Sequence, residues 1–326
     1  MHSASSLLAP HSRSREARMN DNIFDTPKHR DLIYDIGMHK GEDAEFYLRK
    51  GFRVIGFEAD PDLVQLCRHR LQEFIDTKQL TIVEGGIVDQ DAIEAGQTRI
   101  QFYKNDDRSV WGTVCADWSE RNMRLGYSST IIEVDVADLA RIMLQHGVPH
   151  YMKIDIEGVD MACVNTLKLF RERPDYVSIE SDKTSFAKIK REIDAFVDLG
   201  YDSFQAIEQS SITHSQVPPW PAREGDYVFQ RFEFGSSGLF GLELEDKWKS
   251  TQEIIHQYCF IRLGYYLVGD EGKLNQSNLR GAWMLRPLIA RFLELVTKAP
   301  VPGWYDTHAR HSSVNTDTVY LGGRYD

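Results

Sequence analysis

Residues 32–51, LIYDIGMHKGEDAEFYLRKG, decide how this chain is read. An apolar run carries Asp35 at its end and meets Gly37 at once. A helical pattern then runs from about residue 42 and stops at Gly51, a C′ position. A second apolar run, RVIGFEAD (53–60), follows and carries another acid, Glu58. The order is strand, glycine turn, helix, strand, with an acid at each strand tip.

Ligands of open α/β sheets bind beyond the carboxyl ends of the strands, where both acids stand. A glycine at position 37 tolerates positive φ in the tight turn and lets a ligand approach the backbone. Gly41 lacks a Cβ that would hold helix and ligand apart. Glu58 follows Asp35 at about the 20-residue spacing of an acid that grips ribose hydroxyls. Its two oxygens accept from two hydroxyls at once. The dinucleotide fingerprint G-x-G-x-x-G fails, because His39 stands where its second glycine belongs. No G-K-[ST] follows, so a P-loop fails too. A sulfonium nucleoside has no phosphates and needs neither device. Its α-amino group suits Asp35, directly or through water. The stretch points to S-adenosyl-L-methionine ahead of NAD or ATP.

The alternation continues outward. Asp60-Pro61 open a helix over PDLVQLCRHRLQEF as N-cap and first residue. LTIVEGGIV (80–88) reads as a third strand whose end, Glu84, Gly86 and Ile87, is where an adenine ring would lie. RIQFYK (99–104) and STIIEVDV (129–136) are strand-like, and Asp138 and Gly147 bound a helix from 139 to 146. YMKIDIEG (151–158), YVSIESD (176–182) and YDSFQAIEQ (201–209) are strands four to six, and YVFQRFEFGS (227–236) is the expected seventh. Such alternation argues for a mainly parallel, doubly wound sheet. Residues 1–24 lack periodicity and read as a disordered tail, with Met19 an alternative start. Residues 25–245 form the expected Rossmann-like domain. Residues 246–326 read as a helical, aromatic C-terminal extension packed on it.

Composition narrows the function. The 326 residues are 42% hydrophobic with a net charge of −11. That balance disfavours a phosphate-tracking nucleic-acid surface and favours a small neutral or cationic substrate. No apolar run approaches the ~18 residues of a membrane span. Cys67, Cys115, Cys163 and Cys259 are scattered and form no C-x-x-C. They read as free thiols of a reducing, cytoplasmic compartment, with no zinc or other metal site.

Side chains alternate along a strand, so Lys153, Asp155 and Glu157 share a face if the strand runs that far. Asp155 is the candidate base for an acceptor hydroxyl. Lys153 would keep it ionised or bind developing negative charge, unless the pair is structural. Glu157 would orient the acceptor or hold a cation; a metal set from Asp155, Glu157 and Asp160 is the weaker alternative. Ser109, Trp111 and Trp118 lie in a loop suited to cover a sugar ring, or to pack. Glu180 and Ser181 stand at the tip of strand five. Tyr305 and His308 could form a lid or a homo-oligomer contact.

Three blocks now invite comparison: Asp35-Ile36-Gly37…Gly41, Phe57-Glu58-Ala59-Asp60-Pro61 and Lys153-Ile154-Asp155-Ile156-Glu157-Gly158-Val159-Asp160. Their order over residues 32–182 resembles the FkbM family of S-adenosylmethionine-dependent methyltransferases. The chain departs at Met38-His39, where the family often has Ala-Asn, at Ala59 for Pro, and at Asp160 for Glu. The resemblance implies a seven-stranded sheet whose last strand is antiparallel. It also implies methyl transfer, most often to a hydroxyl oxygen of a carbohydrate or natural product. An NAD-dependent oxidoreductase or epimerase is disfavoured by His39 and by the lack of a Y-x-x-x-K pair. A non-catalytic nucleoside-binding scaffold, with the aromatic C-terminal segment as its interface, is the third reading.

Overall fold

A computed structural model describes residues 23–181, 185–269, 272–273, 282–297 and 303–315. The expected tail lies almost wholly outside them, as does Met19; Phe24, at its end, bridges to Phe170. Ten strands are described in chain order. They are β1 (Lys28–Ile36), β2 (Arg53–Glu58), β3 (Leu80–Glu84), β4 (Gly86–Ile87), β5 (Arg99–Asn105), β6 (Ser129–Ala137), β7 (Val148–Ile154), β8 (Tyr176–Glu180), β9 (Tyr201–Glu208) and β10 (Tyr305–His311).

Seven of them form the central sheet in the order β3-β2-β1-β7-β8-β10-β9. Only β10 runs antiparallel to its neighbours. The doubly wound, mostly parallel sheet is as the sequence led us to expect. β1 and β7 are buried on both faces, which is why they read as near-continuous apolar runs. Tyr34, Met152 and Ile154 enter one core; Ile33 and Tyr151 enter the other. β4, β5 and β6 make a separate three-stranded sheet beside the strand tips.

The helix after β1, α1 (Glu42–Arg49), ends two residues before Gly51, whose φ is 91°. The helix after β2, α2 (Pro61–Arg70), is capped as its sequence requires: Asp60 Oδ1 accepts from Asp62 N at 2.9 Å. Strand order reverses between β1 and β7, so the crevice beyond their carboxyl ends is the switch point of the fold.

One strand lies elsewhere than expected. Residues 227–236 are not a strand but part of an irregular strap. Their alternation is real but has another cause: Phe232 packs edge-on against Phe46 at 5.1 Å, while Phe229 and Phe234 stay exposed. The strap is pinned to α1 by the buried Lys50–Glu243 pair (2.6 Å) and by Ser237 N donating to Asp43 Oδ2 (2.9 Å). The seventh strand is β10, inside the segment read as a helical extension. Tyr305 and His308 are therefore sheet residues, neither a lid nor an oligomer contact. Thr307 is buried in a hydroxyl cluster with Ser181 and Tyr258. His308 stacks on Tyr151 at 6.5 Å, and burial drives its pKa down to about 3.

Candidate active site

A cavity of about 720 Å³ opens beyond the tips of β1, β2, β7 and β8, a size suited to a small ligand. Gly37 forms its floor with φ 81°. A β-carbon there would stand 1.9 Å from Asp155 O. Gly37 therefore serves two ends: the left-handed turn, and the close approach of the β1 turn to the end of β7.

Asp35 is wholly buried and does not line the cavity. Lys153, which does, holds it with Nζ 3.1 Å from Asp35 Oδ1. The same ammonium donates to Gly37 O at 3.0 Å and stands 3.5 Å from Asp43 Oδ2. Burial raises the Asp35 carboxyl to about 6 against the pull of Lys153, and raises Asp43 in the same way. Burial alone would lower Lys153, but Asp35, Asp43 and Asp155 outweigh it and push it well above its usual range. Lys153 is thus a fixed cation. Asp43, unlike Asp35, lines the cavity. The sequence carried a trace of it: an acid in the first turn of α1, where the helix dipole favours negative charge.

Glu58 lines the cavity as expected. Its Oε2 accepts from His39 N at 2.9 Å and its Oε1 from Asp60 N at 2.8 Å, which fixes the carboxylate while leaving each oxygen one acceptor site. Burial raises it to about 7. His39 takes φ 52° to make that contact. Its ring reaches Ser109 Oγ at 2.8 Å and so ties the β1 turn to the loop after β5. Met38 lies under β2 in the space left by Gly56.

Of the candidates at the end of β3, Gly86 and Ile87 line the cavity beside Phe102 and Val114. Glu84 does not; its carboxylate is drawn outward to Arg68 of α2 at 3.1 Å. Gly41 does not either. A β-carbon on it would lie 2.8 Å from Leu71 Cδ1, so this glycine lets α2 pack against the turn.

β7 ends at Ile154, so strand alternation does not carry to Asp155 and Glu157. A bend with Glu157 at φ 49° and Gly158 at φ 96° brings both to the cavity nonetheless. Asp155 N donates to Ile36 O at 2.9 Å. Thr113 Oγ1 donates to Glu157 O at 2.6 Å, fastening the covering loop to the bend. Burial, with Glu180, Asp155 and Asp160 near it, pushes Glu157 well up. Asp160 shapes the bend, accepting from Ile156 N at 3.3 Å and Gly158 N at 3.2 Å. Glu180 lines the cavity, whereas Ser181 is taken up by the hydroxyl cluster.

Aromatic pairs stand at the rim. Trp111 meets Tyr127 edge-on at 4.8 Å with Arg108 over the indole at 4.6 Å. Phe234 meets Trp304 edge-on at 5.2 Å. Trp118 instead packs beneath Gly158 and borders a second cavity of about 400 Å³. Neither Phe234 nor Trp304 was picked out from the sequence; they come from the strap and from the chain just before β10.

The methyltransferase FkbM domain model matches residues 35–209, from the first acidic tip to the end of β9. The chain belongs to the FkbM methyltransferase family. The family's members take their methyl group from S-adenosyl-L-methionine, and its shared blocks coincide with the tips of β1, β2 and β7. No curated protein matches the chain. Among solved structures, a SAM-dependent methyltransferase from Archaeoglobus fulgidus is 11% identical, with a TM-score of 0.34, over 91% of this chain and 92% of its own. Another, from Geobacter sulfurreducens in complex with S-adenosyl-L-homocysteine, is 11% identical with a TM-score of 0.29, covering 93% and 92%. Scores this low add nothing to the family match. Among the described residues no helix is long and apolar enough to cross a membrane.

Proposed function

We propose that this methyltransferase methylates a hydroxyl oxygen of a saccharide or small natural product, with Asp155 as the base. The single observation that carries the reading is Asp155 on the wall of the switch-point cavity, held to β1 through Ile36 O and close to the Lys153 ammonium. The cavity's residues fit the donor. Glu58 would hold the ribose hydroxyls, Asp43 the amino group, and Gly86 with Ile87 the adenine. None of these devices is built for phosphate.

The donor supplies an electrophilic methyl carbon whose bond pair returns to sulfur as the new carbon–oxygen bond forms. The chain's task is alignment and proton transfer. Asp155 accepts the hydroxyl proton. Lys153, fixed between Asp35 and Asp43, places a positive charge near Asp155. The Trp111–Tyr127 and Phe234–Trp304 pairs offer flat apolar faces at the rim, suited to the C–H faces of a sugar ring.

Asp155→Asn keeps the shape and removes the base. Turnover should fall by about 10²–10⁴-fold while S-adenosyl-L-homocysteine binding stays within a few-fold of wild type. Unchanged turnover would remove Asp155 from the chemistry.

A further inference from the structure

We infer that the acidic corner beyond β7 and β8 binds one divalent cation of the hard, oxygen-seeking kind, which ligates the acceptor's oxygens beside Asp155. The purpose given to the cation rests on the methyl-transfer reading; its geometry does not. Asp155 and Glu157 follow β7, and Glu180 ends the neighbouring β8. One carboxylate oxygen from each lies within 4.8 Å of the other two. Oxygens bound to Mg²⁺, Mn²⁺ or Ca²⁺ at about 2.0–2.6 Å stand roughly 3–5 Å apart, so the three can share one ion.

Asp306 gives an independent sign. It comes from β10, directly opposite Glu180 in register, and is only 7% exposed. It lines the same cavity, and its carboxyl accepts no hydrogen bond among the described residues. A buried carboxyl without a donor is unfavourable unless a cation lies near. Lys153 reaches Asp306 only through space, because its ammonium donates to Asp35 and Gly37 O and stands against Asp43. Arg121 is stacked on Trp118 at 4.4 Å. Asp160, turned to the backbone of its own bend, is no ligand; Glu180 stands in its place.

The cation changes no bond in the reaction. It binds one oxygen of Asp155 and makes the coordinated hydroxyl more acidic, and the second Asp155 oxygen takes the proton.

The test uses the full chain, stripped with a chelator and titrated with Mn²⁺ while free Mn²⁺ is read by electron paramagnetic resonance. One ion per chain is expected. Glu180→Gln and Asp306→Asn should each weaken it about tenfold or more, and Glu133→Gln, on the exposed side of β6, should not. S-adenosyl-L-homocysteine binding, measured on the same samples, reports that each variant is folded. No saturable Mn²⁺ binding up to about 1 mM overturns the inference, as does binding that both corner variants leave intact. If the nucleoside still binds in that case, methyl transfer stands without the cation; if wild type binds neither, both readings fall.

Discussion

Gly37 and Asp155 meet backbone to backbone: a β-carbon on the glycine would lie 1.9 Å from the aspartate's carbonyl oxygen. The turn that opens the nucleoside cleft and the residue proposed as base are therefore one packing unit. Gly37→Ala puts a side chain at φ 81° and into that contact. Stability should drop by about 2–4 kcal/mol in urea unfolding, from left-handed strain plus overpacking. Gly96→Ala, at φ 86° with open space around it, should lose only the strain, about 1–2 kcal/mol.

Lys153→Met removes the cation shared by Asp35 and Asp43. Both carboxylates are almost fully buried. Breaking a buried pair from one side costs about 3–5 kcal/mol, because the partner is left uncompensated. Chemical denaturation measures the loss. Adding Asp35→Asn to Lys153→Met should recover part of it.

His150 predicts how stability changes with pH. Its Nδ1 lies 2.7 Å from Asp175 Oδ2 and its Nε2 3.3 Å from Glu224 Oε2, tying β7 to the strap. Burial alone would lower its pKa, but the two carboxylates raise it from 6.5 to about 9. A group raised on folding stabilises fully below its unfolded pKa and loses that contribution as pH climbs through the folded one. The contribution should thus be whole below about pH 6.5 and gone above about pH 9. Denaturation midpoints across this window, wild type against His150→Phe, isolate it.

Glu58 should make donor affinity depend on pH. Its ionised form accepts ribose hydroxyls better, and its pKa stands near 7 because it is buried. Affinity should weaken as pH falls below about 7, by at most about tenfold per unit. Glu58→Gln should flatten this dependence and weaken binding by about 1–3 kcal/mol, since an amide nitrogen must then face His39 N or Asp60 N. Calorimetry between pH 5.5 and 8.5 would show both effects.

Much of this was legible in the chain because β1, β2 and β7 are buried on both faces and carry their acids at the tips. Glu58, Gly37 and Asp155 could be named from that pattern alone. β10 could not. Its residues Asp306, Thr307 and His308 are polar yet buried; Thr307 and His308 are kept there by hydroxyl and stacking partners distant in sequence. The strap at 227–236 misled for the opposite reason: of its alternating aromatics, Phe232 packs on α1 and Phe234 on Trp304, and none joins a sheet. Asp35 and Glu84 were correctly placed at strand tips, but a tip position does not say which way a carboxylate turns. Lys153 claims the first and Arg68 the second.

The central claim is that the cleft between β1 and β2 holds a phosphate-free sulfonium nucleoside. Calorimetric titration of the full chain with S-adenosyl-L-homocysteine, and separately with NAD, tests it most directly. The account predicts one S-adenosyl-L-homocysteine site per chain, lost in Glu58→Ala, and no heat with NAD. Tight NAD binding with no response to the sulfur nucleoside would contradict it.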